Sequence, residues 1–457
     1  MEVSREESHT DLIDHPPVPT AIAAEEVGGV AQASLTRLEM HVVEQEQEFL
    51  ALRSEWELLM EKSSASIYQT FDWQWFWWKY YGIGCTLHIL AFRGDGRLVG
   101  LLPMFVETSS LAGKTLHRRL RLIGCGIASE ENLGLPAEYG PSDYLDVIIM
   151  PDYESAVAEY VAAYMKRSSG VCDDLQFQNA SHESFICTHL VPAFEKEGFT
   201  IRKSNREICP FLRVPPTMNE YFAQLQPNAR HRLRQAKREF TDHPPFHIET
   251  VSSPATLHSA FLDLVHLHQA RWNSLGYAGL FSDRRFKRFQ NDVILAFQKR
   301  GWLWLKAVQM GGVRSAVRLG FVFKHKVYDY LSGFDGALPG ANKRPSLALL
   351  LAMVEDAVAS GAEVLDFLRG AEDYKFELAT DMSHNIDVLL RVNPKKQFLR
   401  RFVYRLFVVY ARLIRLLRGE IVLMKVHAAF HGRLLMPLRY ASFVASRLKR
   451  KFRKKKH

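Results

Sequence analysis

Two periodicities organise the chain, and they recur in the same order. Strand-like alternation appears first in "LHILAF" and "RLVGLLPMFV", joined at Gly94-Asp95-Gly96 as a hairpin. A strand "YLDVIIM" (144–150), a helix over 152–167 and a strand "DLQFQNA" (174–180) follow. About 190–215 residues later the order repeats. The second hairpin is "WLWLKAVQ" with "VRSAVRLGFVF", turning at Gly311-Gly312. After it come the strand "VYDYLSGF", a helix over 346–360 and the strand "EVLDFL" (363–368). The pattern predicts an α/β protein built from two tandem copies of one unit.

Three helices, over 217–240, 255–275 and 283–299, are inserted in the second copy alone. The first of them contains "ARHRLRQAKREF", which sets Arg230, Arg234, Lys237 and Arg238 on one face, either solvated or a clamp for an anionic donor or acceptor. Ahead of the first copy, Leu38, Val42, Phe49, Leu52, Trp56 and Leu59 recur at helical spacing and predict a helix. The following "YQTFDWQWFWWKYYG" holds Trp73, Trp75, Trp77 and Trp78, which suit either sugar or base stacking or, more simply, an aromatic wedge between helix and sheet. Residues 1–35 are polar, with prolines at 16, 17 and 19 and no sustained periodicity, and read as disordered.

Composition is that of an ordinary globular chain, 47% hydrophobic and 24% charged, and the 457 residues suit two domains with tails. Charge changes this picture. The stretch from Arg391 to His457 holds 20 of the 59 Lys and Arg residues and one of the 50 acids, so it carries +19 and the remainder −10. A basic core that binds nucleic acid is thereby excluded. In the tail, Lys396, Arg400, Arg401, Arg405, Arg412, Arg415 and Arg418 fall on one half of a helical wheel, opposite Leu399, Phe402, Val403, Leu406, Tyr410, Leu413 and Leu417. Arginines interrupt the apolar stretch, so it predicts a helix lying on an anionic membrane surface through residues 395–457, with packing on its own domain or a partner protein, or nucleic acid at the last basic run, as competing readings.

Five scattered cysteines without a CxxC pair favour reduced thiols and a cytoplasmic location, and no secretory leader is visible. No metal is expected: His266 and His268 are two apart and point away from each other on a helix. Neither a GxSxG elbow nor a P-loop occurs.

The series "HQARWNSLGYAGLF" (268–281), "VYDYLSGFDG" (327–336), a loop opening a helix, and "GAEVLDFLRGAEDYKFE" (361–377) resembles the CelD-like acetyltransferases of polysaccharide biosynthesis, in the GNAT superfamily and related to FemAB-like transferases. The resemblance covers residues 200–390 well and the first copy, with "SDYLDV" (142–147), more loosely. It implies two GNAT-like α/β units in tandem with inserted helices, plus the basic amphipathic helical tail. We divide the chain accordingly into 1–35, 36–198, 199–392 (with the acyl-CoA site) and 393–457.

The resemblance further implies that acyl-CoA pairs with exposed strand backbone and sets its pyrophosphate at the helix starting near Ser346. Lys343 and Arg344 lie within reach of the phosphates, although Arg344-Pro345-Ser346 replaces the Ser-Pro-Gly-like turn expected there. "RGAEDYKF" leaves the carboxyl end of a strand, where open α/β sheets place ligand loops. Gly370 permits close backbone approach, Arg369, Glu372 and Lys375 suit substrate contacts, and Tyr374 suits protonation of a leaving thiolate. Asp366, Asp335 or His268 is the candidate base, and Arg271 and Trp272 follow His268 on its helix. The function implied is acyl-CoA-dependent, most simply acetyl, N- or O-transfer to a sugar, glycan or cell-envelope precursor, peripheral on the inner membrane face. The alternatives are FemAB-like aminoacyl transfer from aminoacyl-tRNA, the one reading that brings in nucleic acid, and a catalytically degenerate scaffold.

Overall fold

The computed structural model describes residues 37–111, 114–127, 140–168, 170–242, 246–275, 279–334 and 344–393. The N-terminal segment, the basic tail, Asp335 and Lys343 lie outside them.

In chain order the first half comprises β1 (Leu38–Val43), α1 (Glu46–Ala51), α2 (Arg53–Lys62), α3 (Phe71–Tyr81), β2 (Thr86–Leu87), β3 (Ile89–Gly94), β4 (Arg97–Leu102), β5 (Met104–Leu111), β6 (Lys114–Leu122), β7 (Ile148–Ile149), α4 (Glu154–Arg167), β8 (Asp174–Ser181), α5 (Val191–Lys196) and β9 (Thr200–Arg213). The second half comprises α6 (Met218–Gln224), α7 (Pro227–Lys237), β10 (Phe246–Thr250), α8 (Pro254–Ser274), α9 (Arg284–Lys299), β11 (Leu303–Met310), β12 (Val313–Phe323), β13 (Lys326–Phe334), α10 (Pro345–Ala359), β14 (Val364–Asp366), α11 (Asp373–Leu378) and β15 (Asp381–Arg391).

One sheet spans both halves, in the order β10-β11-β12-β13-β14-β9-β15-β8-β6-β5-β2; a smaller sheet runs β1-β3-β4-β7. Each half contributes a parallel pair joined through a helix, β6 with β8 across α4 and β13 with β14 across α10. The terminal strands are exchanged. β9, which ends the first half, pairs with β14 of the second, and β15, which ends the second, pairs with β8 of the first. β9 and β15 then pair antiparallel with each other along the middle of the sheet.

Three sequence expectations change. "YLDVIIM" was expected to be the counterpart of β13, but only Ile148 and Ile149 form strand, and they pair with β4. The counterpart is β6, "KTLHRRLRL", where buried Arg121 bonds Glu107 and Gln178 and buried His117 bonds Asp174. The helix expected over 38–59 begins as β1, because Leu38, Met40 and Val42 also alternate and β3 offers a partner edge. The helix over 217–240 breaks before Pro227, which opens α7 at its first position, where its missing N–H costs nothing.

The tryptophan-rich segment forms α3 and acts as the wedge. Trp73 and Trp77 are fully buried; Trp73 donates to Ser142 Oγ at 2.8 Å and packs against Phe289, Phe321 and Tyr330 of the second half. Further ties cross the same seam: Lys79 and Tyr80 to Asp292, and Arg300 to Asp72 and Glu57.

Candidate functional site

The two parallel pairs differ in a way that bears on function. β13 registers with β14 only through Lys326↔Val364, Val327↔Leu365 and Tyr328↔Asp366, so Asp329–Phe334 continue with no partner strand on that side among the described residues. The edge so left open carries backbone donors and acceptors that an extended ligand can pair with. In the first half β6 ends at Leu122, one residue past its last pair, Arg121↔Gln176, so no comparable stretch of it runs on beyond the pair.

Around that opening the structure gathers two polar groups. In the first, Asp366 ends β14 and its Oδ1 accepts from the Tyr144 hydroxyl at 2.9 Å and from the Leu368 N–H at 2.8 Å. The second bond closes a turn that holds Leu368 at φ 58, a conformation a branched side chain adopts only under constraint. Burial, opposed by these bonds, raises the Asp366 carboxyl to about 6. Arg369 reaches back to the first half, pairing with Asp143 at 3.0 Å and donating to the Gly140 carbonyl at 2.8 Å. Gly370 has φ 131, and a Cβ there would lie 2.3 Å from Glu372 Oε2. Lys375 is buried and donates to the Arg369 carbonyl at 2.8 Å, with Glu372 at 3.0 Å. The charges of "RGAEDYKF" therefore bind their own turn and the first half's "SDY" segment.

The second group lies under the start of α10. Arg318 on β12 and Asp329 on β13 form a buried ion pair, with side chains 3% and 5% exposed. The same guanidinium donates to Ser346 Oγ at 2.9 Å and to its carbonyl at 3.3 Å, and lies beside the Tyr374 hydroxyl. Burial first, then Asp329, pushes Tyr374 far above the usual phenol range, so it stays protonated. The helix expected to start near Ser346 is capped by Arg344, exposed and left-handed at φ 61, and the Ser346 hydroxyl is engaged by Arg318. Pro345 has no N–H and Leu347 N–H bonds the Arg344 carbonyl, which leaves the Ser346 N–H directed out of the first turn. An anion at this helix end fits the open N-terminus and the exposed Arg344.

α8 closes on the far end of β13. Gly333 lets it do so, for a Cβ there would stand 2.6 Å from the His268 N. The His268 ring is buried against Phe281 and tilted on half-exposed Trp272, and burial lowers it to about 4, so it is neutral. Arg271 lies over the Phe334 ring at 4.6 Å. α7 reaches the region through Arg232, which pairs with Glu377 of α11, whereas Arg230 donates to the Ala223 and Leu225 carbonyls and Arg234 covers the Phe222 ring. Among the described residues no group of three His, Cys, Asp or Glu side chains is placed to hold a metal. Arg318, Asp329, Asp143 and Tyr144 were not picked out from the sequence as site residues. The signal for the first two was present: one cation and one anion, each inside an apolar strand of the same hairpin.

Residues 227–376 match the family model described as Acetyltransferase (GNAT) domain. No curated protein matches the sequence. Among solved structures, the crystal structure of FemX is similar at 11% identity with a TM-score of 0.55, covering 77% of this chain and 98% of that one. A tandem GNAT protein from the clavulanic acid biosynthesis pathway is similar at 10% identity and TM-score 0.39, over 78% of this chain and 99% of that one. L-PGS from Bacillus licheniformis is similar at 11% and 0.42, over 77% and 92%. The fold is thus FemX-like, and the match to a GNAT acetyltransferase domain lies in its second half, over residues 227–376.

Proposed function

We propose that the second half binds an acyl-CoA along the free edge of β13 and transfers its acyl group to an amine or hydroxyl of a sugar, glycan or cell-envelope precursor. The observation that carries this reading is the edge Asp329–Phe334, open beside the N-terminus of α10 and without a counterpart in the first half. Bound there, the thioester would supply an activated acyl carbon. The acceptor N or O bonds to that carbon as the C–S bond breaks. Asp366, with its carboxyl at about 6, takes the acceptor proton directly or through water, and protonated Tyr374 gives a proton to the departing thiolate. Arg344 and the Ser346 N–H hold the pyrophosphate, joined by Lys343, the residue before Arg344 in sequence. Arg369, Gly370, Glu372 and Lys375 form the acceptor side, with Arg271, Trp272 and His268 lining the opposite wall and Asp335, next after Phe334 in sequence, a second candidate base.

No helix among the described residues is long and apolar enough to cross a membrane. The basic amphipathic tail supports a peripheral place on an anionic membrane surface, where a lipid-linked acceptor would be met. The exposed Arg234 and Arg238 of α7 and its end support a second reading, FemAB-type transfer in which they and the tail meet aminoacyl-tRNA.

Calorimetric titration of acetyl-CoA into the full chain tests the first reading. Micromolar binding that persists in moderate salt and weakens on Arg344→Ala is expected. Binding that vanishes with salt, alongside tRNA binding of steep salt dependence, would move the assignment to the second reading. Binding of neither would leave a scaffold.

A further inference from the structure

The turn that carries Asp366 is not completed by its own half. Facing it is an arm of the first half, residues 141–146, which is tied down almost residue by residue. The Pro141 carbonyl accepts from the Tyr330 hydroxyl at 2.8 Å, Ser142 Oγ accepts from the Trp73 indole at 2.8 Å, and Asp143 pairs with Arg369 at 3.0 Å. Leu145 is buried, and Asp146 accepts from the Phe185 and Ile186 N–H groups at 2.8 and 3.1 Å.

Tyr144, in the middle of the arm, lies in the left-handed region at φ 51. That conformation costs a bulky residue about 1–3 kcal/mol and persists only where its neighbours over-determine it. Gln69 does so here. It is 1% exposed, and its Nε2 donates to the Tyr144 carbonyl at 2.6 Å. Its Oε1 accepts from the Ser66 N–H at 2.8 Å and the Ser66 hydroxyl at 2.6 Å, so the amide is used at both ends.

What the strained backbone delivers is the Tyr144 hydroxyl, 2.9 Å from Asp366 Oδ1. With the Leu368 N–H on the same oxygen, Oδ1 holds two donors, whereas no described residue bonds Oδ2. Two donors on one oxygen set the plane of the carboxyl and leave the other oxygen to take a proton. Packing alone needs neither the hydroxyl nor the left-handed backbone.

We propose that Tyr144 is a positioning residue contributed by the first half to the second: its hydroxyl fixes Asp366 Oδ1 and leaves Oδ2 to the acceptor. The proposal rests on the acyl-transfer reading, in which Asp366 takes the acceptor proton.

Two variants of the full chain test it. Tyr144→Phe keeps the ring and removes the hydroxyl, and Gln69→Met removes the clamp and lets the hydroxyl leave. The Asp366 carboxyl is followed by carbon-13 NMR in chain labelled at aspartate, its signal assigned by its loss in Asp366→Asn. In the parent it titrates at about 6. Losing a donor to the charged form raises that midpoint by about one pH unit in Tyr144→Phe, and in the same direction in Gln69→Met. Asp143, Lys326, Cys209, Tyr68 and Tyr328 also face Asp366, and all are unchanged in both variants. Release of CoA from acetyl-CoA, with water as the acceptor, is the second readout. In Tyr144→Phe its kcat at pH 6 falls about five- to tenfold with KM unchanged, and its acid limb rises with the NMR midpoint. A merely structural tyrosine would lower the melting temperature and move neither. A midpoint that stays at about 6 in Tyr144→Phe, or a kcat and acid limb equal to the parent's, would overturn the positioning role while acetyl-CoA still binds. A parent that neither binds nor cleaves acetyl-CoA would instead overturn the acyl-transfer reading, and the NMR midpoint would still decide whether the arm holds Asp366.

Discussion

Asp329→Asn isolates the ion pair that underlies the candidate donor site. Asn keeps the shape of the side chain and removes its charge, leaving the Arg318 guanidinium, 3% exposed, with only neutral partners in Ser346 and Tyr374. Deleting one partner of a buried pair costs about 3–5 kcal/mol, because the other charge stays desolvated. Asn still accepts a hydrogen bond, which puts the variant at the lower end, about 3 kcal/mol. In urea, with an m-value of about 3 kcal/mol/M, the unfolding midpoint falls by about 1 M.

The double variant Arg318→Met, Asp329→Leu replaces both charges by apolar groups and recovers stability to within about 1 kcal/mol of the parent. Acetyl-CoA affinity separates stability from site geometry. It falls in Asp329→Asn and stays low in the double variant, since Ser346 and Tyr374 have lost their common anchor. A loss below about 1 kcal/mol for Asp329→Asn, or a double variant less stable than the single, would refute the reasoning: the pair would then be hydrated rather than buried.

Three further outcomes follow from particular side chains. Asp366 sits at about 6 in the folded chain against 3.8 for an unperturbed aspartate, so the stability it contributes is full below pH 4 and is lost as pH rises through 6. Asp366→Asn should therefore gain about 2–3 kcal/mol on the parent between pH 4 and pH 7.5, read by denaturation at each pH; a constant difference would mean a solvated carboxyl. Buried His268, lowered to about 4, contributes the opposite way: its stability is present above pH 6.5 and lost as pH falls through 4, and its imidazole NMR signals should show no protonation above pH 5. Gly370→Ala forces a side chain onto φ 131 and into Glu372 and Lys375, and should lower stability by about 1–3 kcal/mol in a melting experiment.

The second half was the more legible in sequence, for physical reasons. α8 and α9 are long and each buries one stripe, and α10 is apolar nearly all round, with Ala348 through Val354 buried, so their apolar patterns locate all three to within a residue or two. β6 was hidden because its alternate positions carry His117, Arg119 and Arg121, whose acidic and amide partners come from β5 and β8 and are invisible to a local pattern. The "RGAEDYKF" turn stood out by its charges, but its partners Asp143 and Tyr144 lie more than 220 residues earlier in the chain. Nothing local distinguishes a terminal strand that pairs with its own half from one that is exchanged.

That exchange makes a sharp prediction about separating the halves. A fragment of residues 199–393, the second half together with the first half's terminal strand β9, keeps β9 and β15 and so every strand that neighbours β14, and it retains the free edge of β13. It loses β8, leaving β15 with an unpaired edge, and it loses Tyr144 and Asp143, the partners of Asp366 and Arg369. The complementary fragment 37–198 lacks both central strands and exposes β8, a template for aggregation. The second-half fragment should therefore fold, show fast hydrogen exchange along β15, and bind acetyl-CoA while its "RGAEDYKF" turn loosens. A fragment protected along β15 as fully as the whole chain would refute the exchange, because that protection requires the edge that β8 supplies.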